Sequence, residues 1–278
     1  MYFRPKTLEE AVQTLATERV QILSGGTDFF PALGERRARA PILDVSALSE
    51  LKGITVESDC IRIGGLTTWS EVIASSLPQA FDGLKLAARE IGGFQIQNRG
   101  TVAGNLCNAS PAADGVPPLL ALDAEVELVS SSGVRHMPLA DFVVGNRKTL
   151  LRADEILSAV LIPRVCEHGH STFLKLGARR YLVISIVMVA VVLKANGSKR
   201  ISDARIAVGS CSTRAQRLQE LERDLLGKAL GGAVGKYVSP QHLAPLTPIS
   251  DVRATADYRL DSARTLVSRA LDLCAGSF

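Results

Sequence analysis

The stretch "NRGTVAGNLCNASPAADGVPPLLALDAEVEL", Asn98 to Leu128, constrains this chain more than any other. Gly100, Gly104 and Gly115 punctuate it, and Thr101, Ala103, Asn105, Asn108 and Ser110 fill the spaces. Asp114, Pro117 and Pro118 then lead into an apolar helix over Leu119–Leu122. So much small, polar sequence cannot form a core. A loop this long inside a compact domain is uncommon unless it is functional or disordered. Its inventory is backbone donors, amides, hydroxyls and one acid. That set suits wrapping a large polar ligand that carries phosphates and sugar hydroxyls.

A second stretch points the same way. In "LSGGTDFF", Leu23 to Phe30, Ser24-Gly25-Gly26-Thr27-Asp28 follows a short apolar strand. Alone it reads as a tight turn or as backbone that must approach a phosphate, and short glycine motifs do not separate the two. Two such regions in one chain favour ligand binding.

The 278 residues and 46% hydrophobic content allow a sizeable core, as one large or two smaller domains. The charged fraction of 22% is that of a globular chain. A formal charge of +4 gives no case for nucleic acid. The start, MYFRPKTLEEAVQTL, lacks the features of a secretory signal. The longest apolar run, Leu182–Leu193, is broken by Ser185, is too short for a membrane span and reads as a buried strand. Cys60, Cys107, Cys166, Cys211 and Cys274 are widely spaced, with no zinc or iron–sulfur ligand pattern; they suit reduced thiols in a cytoplasmic protein. His168 and His170 read as a loop pair, so no metal site is expected on this chain.

Thr7 is expected to cap a helix through Leu15, with Glu10 completing a capping box. Strands are expected over Arg19–Ser24 and Ile42–Ser46, and a hairpin over Ile54–Gly65. Helices are expected in TTWSEVIAS and over Leu84–Ile91, the latter ended by Gly92-Gly93. No hydrolytic triad, metal cluster or acid–base pair is visible, so no catalytic residue is assigned. The chain reads as a holder for a cofactor that performs the redox chemistry itself.

These motifs, in this order, resemble the flavin-binding subunit of the molybdenum hydroxylases, a family that includes xanthine dehydrogenase and bacterial carbon monoxide dehydrogenase. FRPKTLEEAVQTL resembles the family's opening, SGGTD its first FAD motif, and IGGFQIQNRGTVAGNLCNASPAAD its second. GNRKTLLRADEIL, FLKLGARR, VISIV and RAQRLQELERDLLGK resemble later segments, so the likeness spans nearly the whole chain. One departure is Ala103-Gly104-Asn105, where the family often has Gly-Gly-Asn.

The resemblance implies an α+β fold: a two-subdomain FAD-binding domain of the vanillyl-alcohol-oxidase type over 1–168, divided near residue 53. A C-terminal domain with a three-stranded sheet and helices would follow over 171–276. FAD would be the only cofactor here. Gly25, Gly26, Thr27 and Asp28, with the flanking Leu23 and Ser24, would cradle its pyrophosphate. Ala103, Gly104 and Asn105 would lie on the other side, with Asn108 nearby. Thr101 and Asp114 match positions that hydrogen-bond FAD, Asp114 at the ribityl hydroxyls. Ile91, Leu157 and Lys175 match positions near the isoalloxazine. Molybdopterin would sit on a large partner subunit and 2Fe-2S clusters on a small one, in a heterotrimer that is often doubled. The resemblance also draws attention to Arg179 and Arg180, which here precede Tyr181, Leu182 and Val183 rather than acids. The competing reading is a self-sufficient FAD-dependent oxidase or reductase of the same fold.

Overall fold

The computed structural model describes residues 1–231 and 233–278. The N-terminal unit is a parallel sheet in the order β1 (Tyr2–Phe3), β3 (Ile42–Asp44), β2 (Gln21–Leu23), connected through α1 (Leu8–Thr17) and α2 (Phe29–Leu33). Ala11, Val12 and Leu15 of α1 pack on Leu43, Val45, Leu48 and Leu51. Thr7 caps α1 by accepting from the Glu10 N–H at 3.2 Å. The capping box is only half formed, because the Glu10 carboxylate reaches past Thr7 to the Lys6 N–H at 2.7 Å.

The second unit is an antiparallel sheet in which β4 (Ile54–Val56), β5 (Cys60–Gly64), β6 (Glu125–Ser130), β7 (Gly133–Pro138) and β10 (Ile156–Pro163) take the order β4-β5-β10-β6-β7. The expected hairpin is β4–β5. Between β5 and β6 run α3 (Trp69–Ala74), α4 (Asp82–Glu90), α5 (Phe94–Gln97), α6 (Val102–Asn108) and α7 (Val116–Ala121). A complete capping box starts α3: Thr68 and Glu71 satisfy each other's backbone N–H. The segment between β7 and β10 holds α8 (Leu139–Phe142) and the small hairpin of β8 (Val143–Gly145) and β9 (Lys148–Thr149).

The C-terminal unit has three long antiparallel strands, β11 (His170–Leu176), β12 (Val187–Ala195) and β13 (Ile201–Gly209). A fourth, two-residue edge strand, β14 (Gln216–Arg217), extends the three strands expected, because a short run after β13 folds back onto it. The sheet carries α9 (Gln219–Leu225) and α10 (Ala256–Ala275). Alternation along β12 explains its unbroken apolar run. Val187, Val189, Val191 and Leu193 join the core under α9 and α10, while Met188, Ala190 and Val192 join the core of the second unit. The sheet is buried on both faces. The strand begins at Val187, however, not at Leu182, and Leu182 and Ile184 are exposed.

All five cysteines are free thiols, and burial pushes those of Cys211 and Cys274 up to about 12. Among the described residues, no helix is long and apolar enough to cross a membrane.

Candidate functional site

The first glycine motif leaves the carboxyl end of β2. In a parallel sheet this edge is where strand-to-helix loops gather and where ligands commonly bind. Leu23 is buried as the last residue of the strand. From Gly25 to Asp28 the chain makes no regular structure. Among the described residues, the N–H groups of Gly25, Gly26, Thr27 and Asp28 donate to no acceptor in the chain. Gly26 sits at φ +78°, a conformation that favours glycine. Successive unpaired N–H groups of this kind make an anion-binding concavity.

Gly25 is small for another reason. A Cβ there would overlap the carbonyl oxygen of Arg99, so this glycine lets the two motifs touch backbone to backbone. The loops are also tied by a 3.0 Å hydrogen bond between the Ser24 and Thr101 hydroxyls. A polar cleft of about 200 Å³ opens beside this pair, lined by Ser24, Gly25, Ser46, Thr68, Arg99 and Thr101 among others.

The second motif, expected as a loop outside the core, is instead largely helical, and Val102, Leu106, Ala109 and Ala113 join the core because its small and apolar residues pack inward. Thr101 caps α6, its hydroxyl accepting from the Gly104 N–H at 3.1 Å. The N–H groups of Val102, Ala103 and Asn105 are taken by Thr67, Gly65 and Thr101 carbonyls. The start of α6 therefore presents side chains rather than free N–H groups. A Cβ on Gly104 would lie 2.8 Å from the Thr101 hydroxyl and 3.3 Å from that of Ser24, so glycine keeps this hydroxyl pair uncovered. The alanine that replaces a glycine at 103 is helical, and its methyl joins the buried core. The Asn105 Oδ1 atom is buried without a partner. Asn108 is engaged by the Arg147 guanidinium, and the Arg147 N–H bonds the Ala109 carbonyl at 2.9 Å.

A third group lies where the C-terminal unit meets the second motif. Asp114 and Lys175 are both buried and form an ion pair at 2.7 Å. The Ser185 hydroxyl donates to the other Asp114 oxygen at 2.6 Å. Lys175 also donates to the Glu90 carbonyl at 3.2 Å, one residue before Ile91 at the end of α4. Burial pushes the Asp114 carboxyl above the ordinary range, opposed by Lys175 and Ser185. Leu157 is buried beside the bulge in β10, its carbonyl against Gly65. The Arg180 guanidinium lies over the exposed ring of Tyr181, 5.4 Å from its centroid.

The donor set fits a dinucleotide cofactor. Four free N–H groups, paired hydroxyls and an unpartnered amide oxygen match phosphates and sugar hydroxyls. Three participants escape a reading of the sequence. Arg147 stands in a segment read only as strand and turn, Ser46 follows a strand without any motif, and Ser185 shows only as a break in an apolar run.

Comparison with known proteins agrees. Residues 1–165 match the FAD binding domain in molybdopterin dehydrogenase, and residues 172–273 match the CO dehydrogenase flavoprotein C-terminal domain. The chain therefore belongs to the FAD-binding subunit family of the molybdenum hydroxylases and is of oxidoreductase class. It is 33% identical to the xanthine dehydrogenase FAD-binding subunit of Escherichia coli O157:H7, over 97% of this chain and 94% of that one. It is 35% identical to the nicotinate dehydrogenase FAD-subunit of Eubacterium barkeri, over 82% and 80%. Its fold superposes on a chain of the Cu,Mo-CO dehydrogenase with a TM-score of 0.91 and 28% identity, covering 99% of this chain and 97% of that one. Quinoline 2-oxidoreductase from Pseudomonas putida 86 gives 0.88 and 28%, covering 99% and 96%.

Proposed function

We propose that the chain holds one FAD and passes electrons from 2Fe-2S clusters on a small partner subunit to an external acceptor: NAD, oxygen or a quinone. Substrate is hydroxylated on a large molybdopterin subunit, and the assembly is a heterotrimer or its dimer, in the cytoplasm. The FAD-binding domain takes 1–168 and the C-terminal domain 171–276. When bound, FAD supplies the redox chemistry.

The chain's own residues bind and orient. The N–H groups of Gly25, Gly26, Thr27 and Asp28 receive the pyrophosphate, and Leu23 anchors their loop to β2. The hydroxyls of Ser24 and Thr101, the space at Gly104, the Asn105 amide and the turn through Ala103 form the opposite wall. Arg147 holds Asn108 at its margin. Asp114 accepts from the ribityl hydroxyls, while Ile91, Leu157 and Lys175 lie toward the ring.

The observation that carries this reading is the run of free N–H groups from Gly25 to Asp28, which continues from Ser24 and Gly25 in the wall of the cleft that Thr101 also lines. Reconstitution with excess FAD followed by desalting should leave about one flavin per chain, and FMN should bind far more weakly. A colourless product would refute the proposal. The isolated chain should hydroxylate nothing, whereas with its partners substrate should bleach the flavin. Useful turnover of an aldehyde or N-heterocycle by the isolated chain would favour a self-sufficient flavoenzyme instead.

A further inference from the structure

The apolar run Leu182–Leu193 contains a single hydroxyl, Ser185, and it is almost wholly buried. A buried hydroxyl is costly unless it is hydrogen-bonded. This one donates to Asp114 Oδ1 at 2.6 Å, a length typical of a charge-assisted bond. The chain makes an unusual turn to place it. Leu182 adopts φ +54°, a left-handed conformation rarely taken by a bulky residue, while Tyr181, Leu182 and Ile184 stay exposed. The next residue is held from the far side of the sheet. Arg259, buried at the start of α10, donates to the Ile186 carbonyl at 2.6 Å and to the Ser210 carbonyl at 3.1 Å. Its other nitrogen pairs with Asp251 at 2.8 Å.

We propose that Ser185, held in place through Arg259, is a positioning residue that fixes the Asp114 carboxylate for the ribityl chain of FAD. The inference rests on the FAD reading above. Lys175 takes one carboxylate oxygen and Ser185 the other, so the two donors set the plane of the group. A carboxylate has about four acceptor sites, which leaves capacity on both oxygens for ligand hydroxyls. Both donors come from the C-terminal unit and the acceptor from the FAD-binding domain, so the C-terminal unit completes the site.

The charged groups facing Asp114 are Lys175 and, more distantly, Glu90. Burial pushes the carboxyl up, and the Ser185 bond opposes that push. Without the hydroxyl, Asp114 should protonate at a higher pH, and affinity that depends on its charge should be lost earlier as pH falls.

The test is FAD titration by flavin fluorescence across pH, with thermal melting of the apoprotein, for wild type, Ser185→Ala and Ser185→Thr. Ser185→Ala should raise the FAD dissociation constant about tenfold, equivalent to about 1.4 kcal/mol. Its affinity should fall off at a higher pH than in wild type. Ser185→Thr, which keeps the hydroxyl, should stay within about twofold of wild type. An alanine variant within twofold of wild type at every pH overturns the proposal. So does equal impairment of both variants, or a loss with no displacement of the pH profile. Wild-type protein that retains no flavin overturns the FAD reading and this proposal with it; flavin-binding wild type with an unaffected alanine variant overturns the proposal alone.

Discussion

The two glycine motifs meet at one cleft but are built on opposite plans. The loop from Gly25 to Asp28 leaves its N–H groups unpaired and is only partly buried. The second motif spends the N–H groups of Val102 to Asn105 within the chain, buries Thr101 and Asp114, and offers side chains. The first is shaped for a ligand and has little to hold it together by itself. The second is part of the core and cannot change without cost to the fold. Substitutions in the two should therefore separate binding from stability.

Asp114→Ala should give the largest effect. It leaves the buried Lys175 ammonium without its partner, and breaking such a pair costs about 3–5 kcal/mol. Denaturant unfolding of the apoprotein checks this; undiminished stability would show that Lys175 escapes to solvent and that the second motif is less rigid than its packing indicates.

Gly25→Val should be next. The new side chain meets backbone, the Arg99 carbonyl, which cannot rotate away as a side chain would. Overpacking of this kind costs about 1–3 kcal/mol. It should also pry the two motifs apart, so FAD retention after desalting should be lost even where the fold survives. Retained flavin would mean that contact between the loops is not needed for binding.

Thr101→Val removes the cap of α6 and the bond to Ser24 together. A cost of about 1 kcal/mol is expected from the cap, visible as a lower unfolding midpoint, with Thr101→Ser restoring most of it. A valine variant as stable as wild type would show that the methyl group, which valine keeps, and not the hydroxyl holds this turn.

The smallest effect belongs to Arg180→Glu. The guanidinium is exposed, so salt screens its field. Reversing the charge should lower the flavin midpoint potential in the assembled complex by less than about 30 mV, the shift that for a two-electron couple equals a tenfold change in equilibrium. No shift at 10 mV sensitivity would place Arg180 outside the flavin's electrostatic reach.

Much of the fold was legible where a local rule governs. Thr7 before LEEAVQTL announces a cap, and Gly64-Gly65 closes the hairpin as glycine pairs do. The long α10 is not legible, because its inward face carries Arg259 and Ser262 beside Ala263, Leu266 and Val267, which blurs the apolar period. The strand starts at Val187, five residues after the apolar run begins, since exposed Leu182 and Ile184 look like core in one dimension. In the site, a sequence can show that Gly25 must be small. It cannot show that the reason is a carbonyl from residue 99. Asp114 and Lys175 each stand out for the ligand, but their pairing depends on how two units distant in sequence meet.

That meeting has a consequence for the history of such chains. The first 165 residues and the segment from 172 onward match separate family models, which invites the view of two modules that recombination could shuffle. The contact at Asp114 argues otherwise. A hybrid that took its front half from one relative and its back half from another would inherit an acid selected beside one pair of donors and place it beside a different pair. Only grafts whose parents agree at positions 114, 175 and 185 should give soluble, yellow protein; the two halves are expected to travel through evolution together.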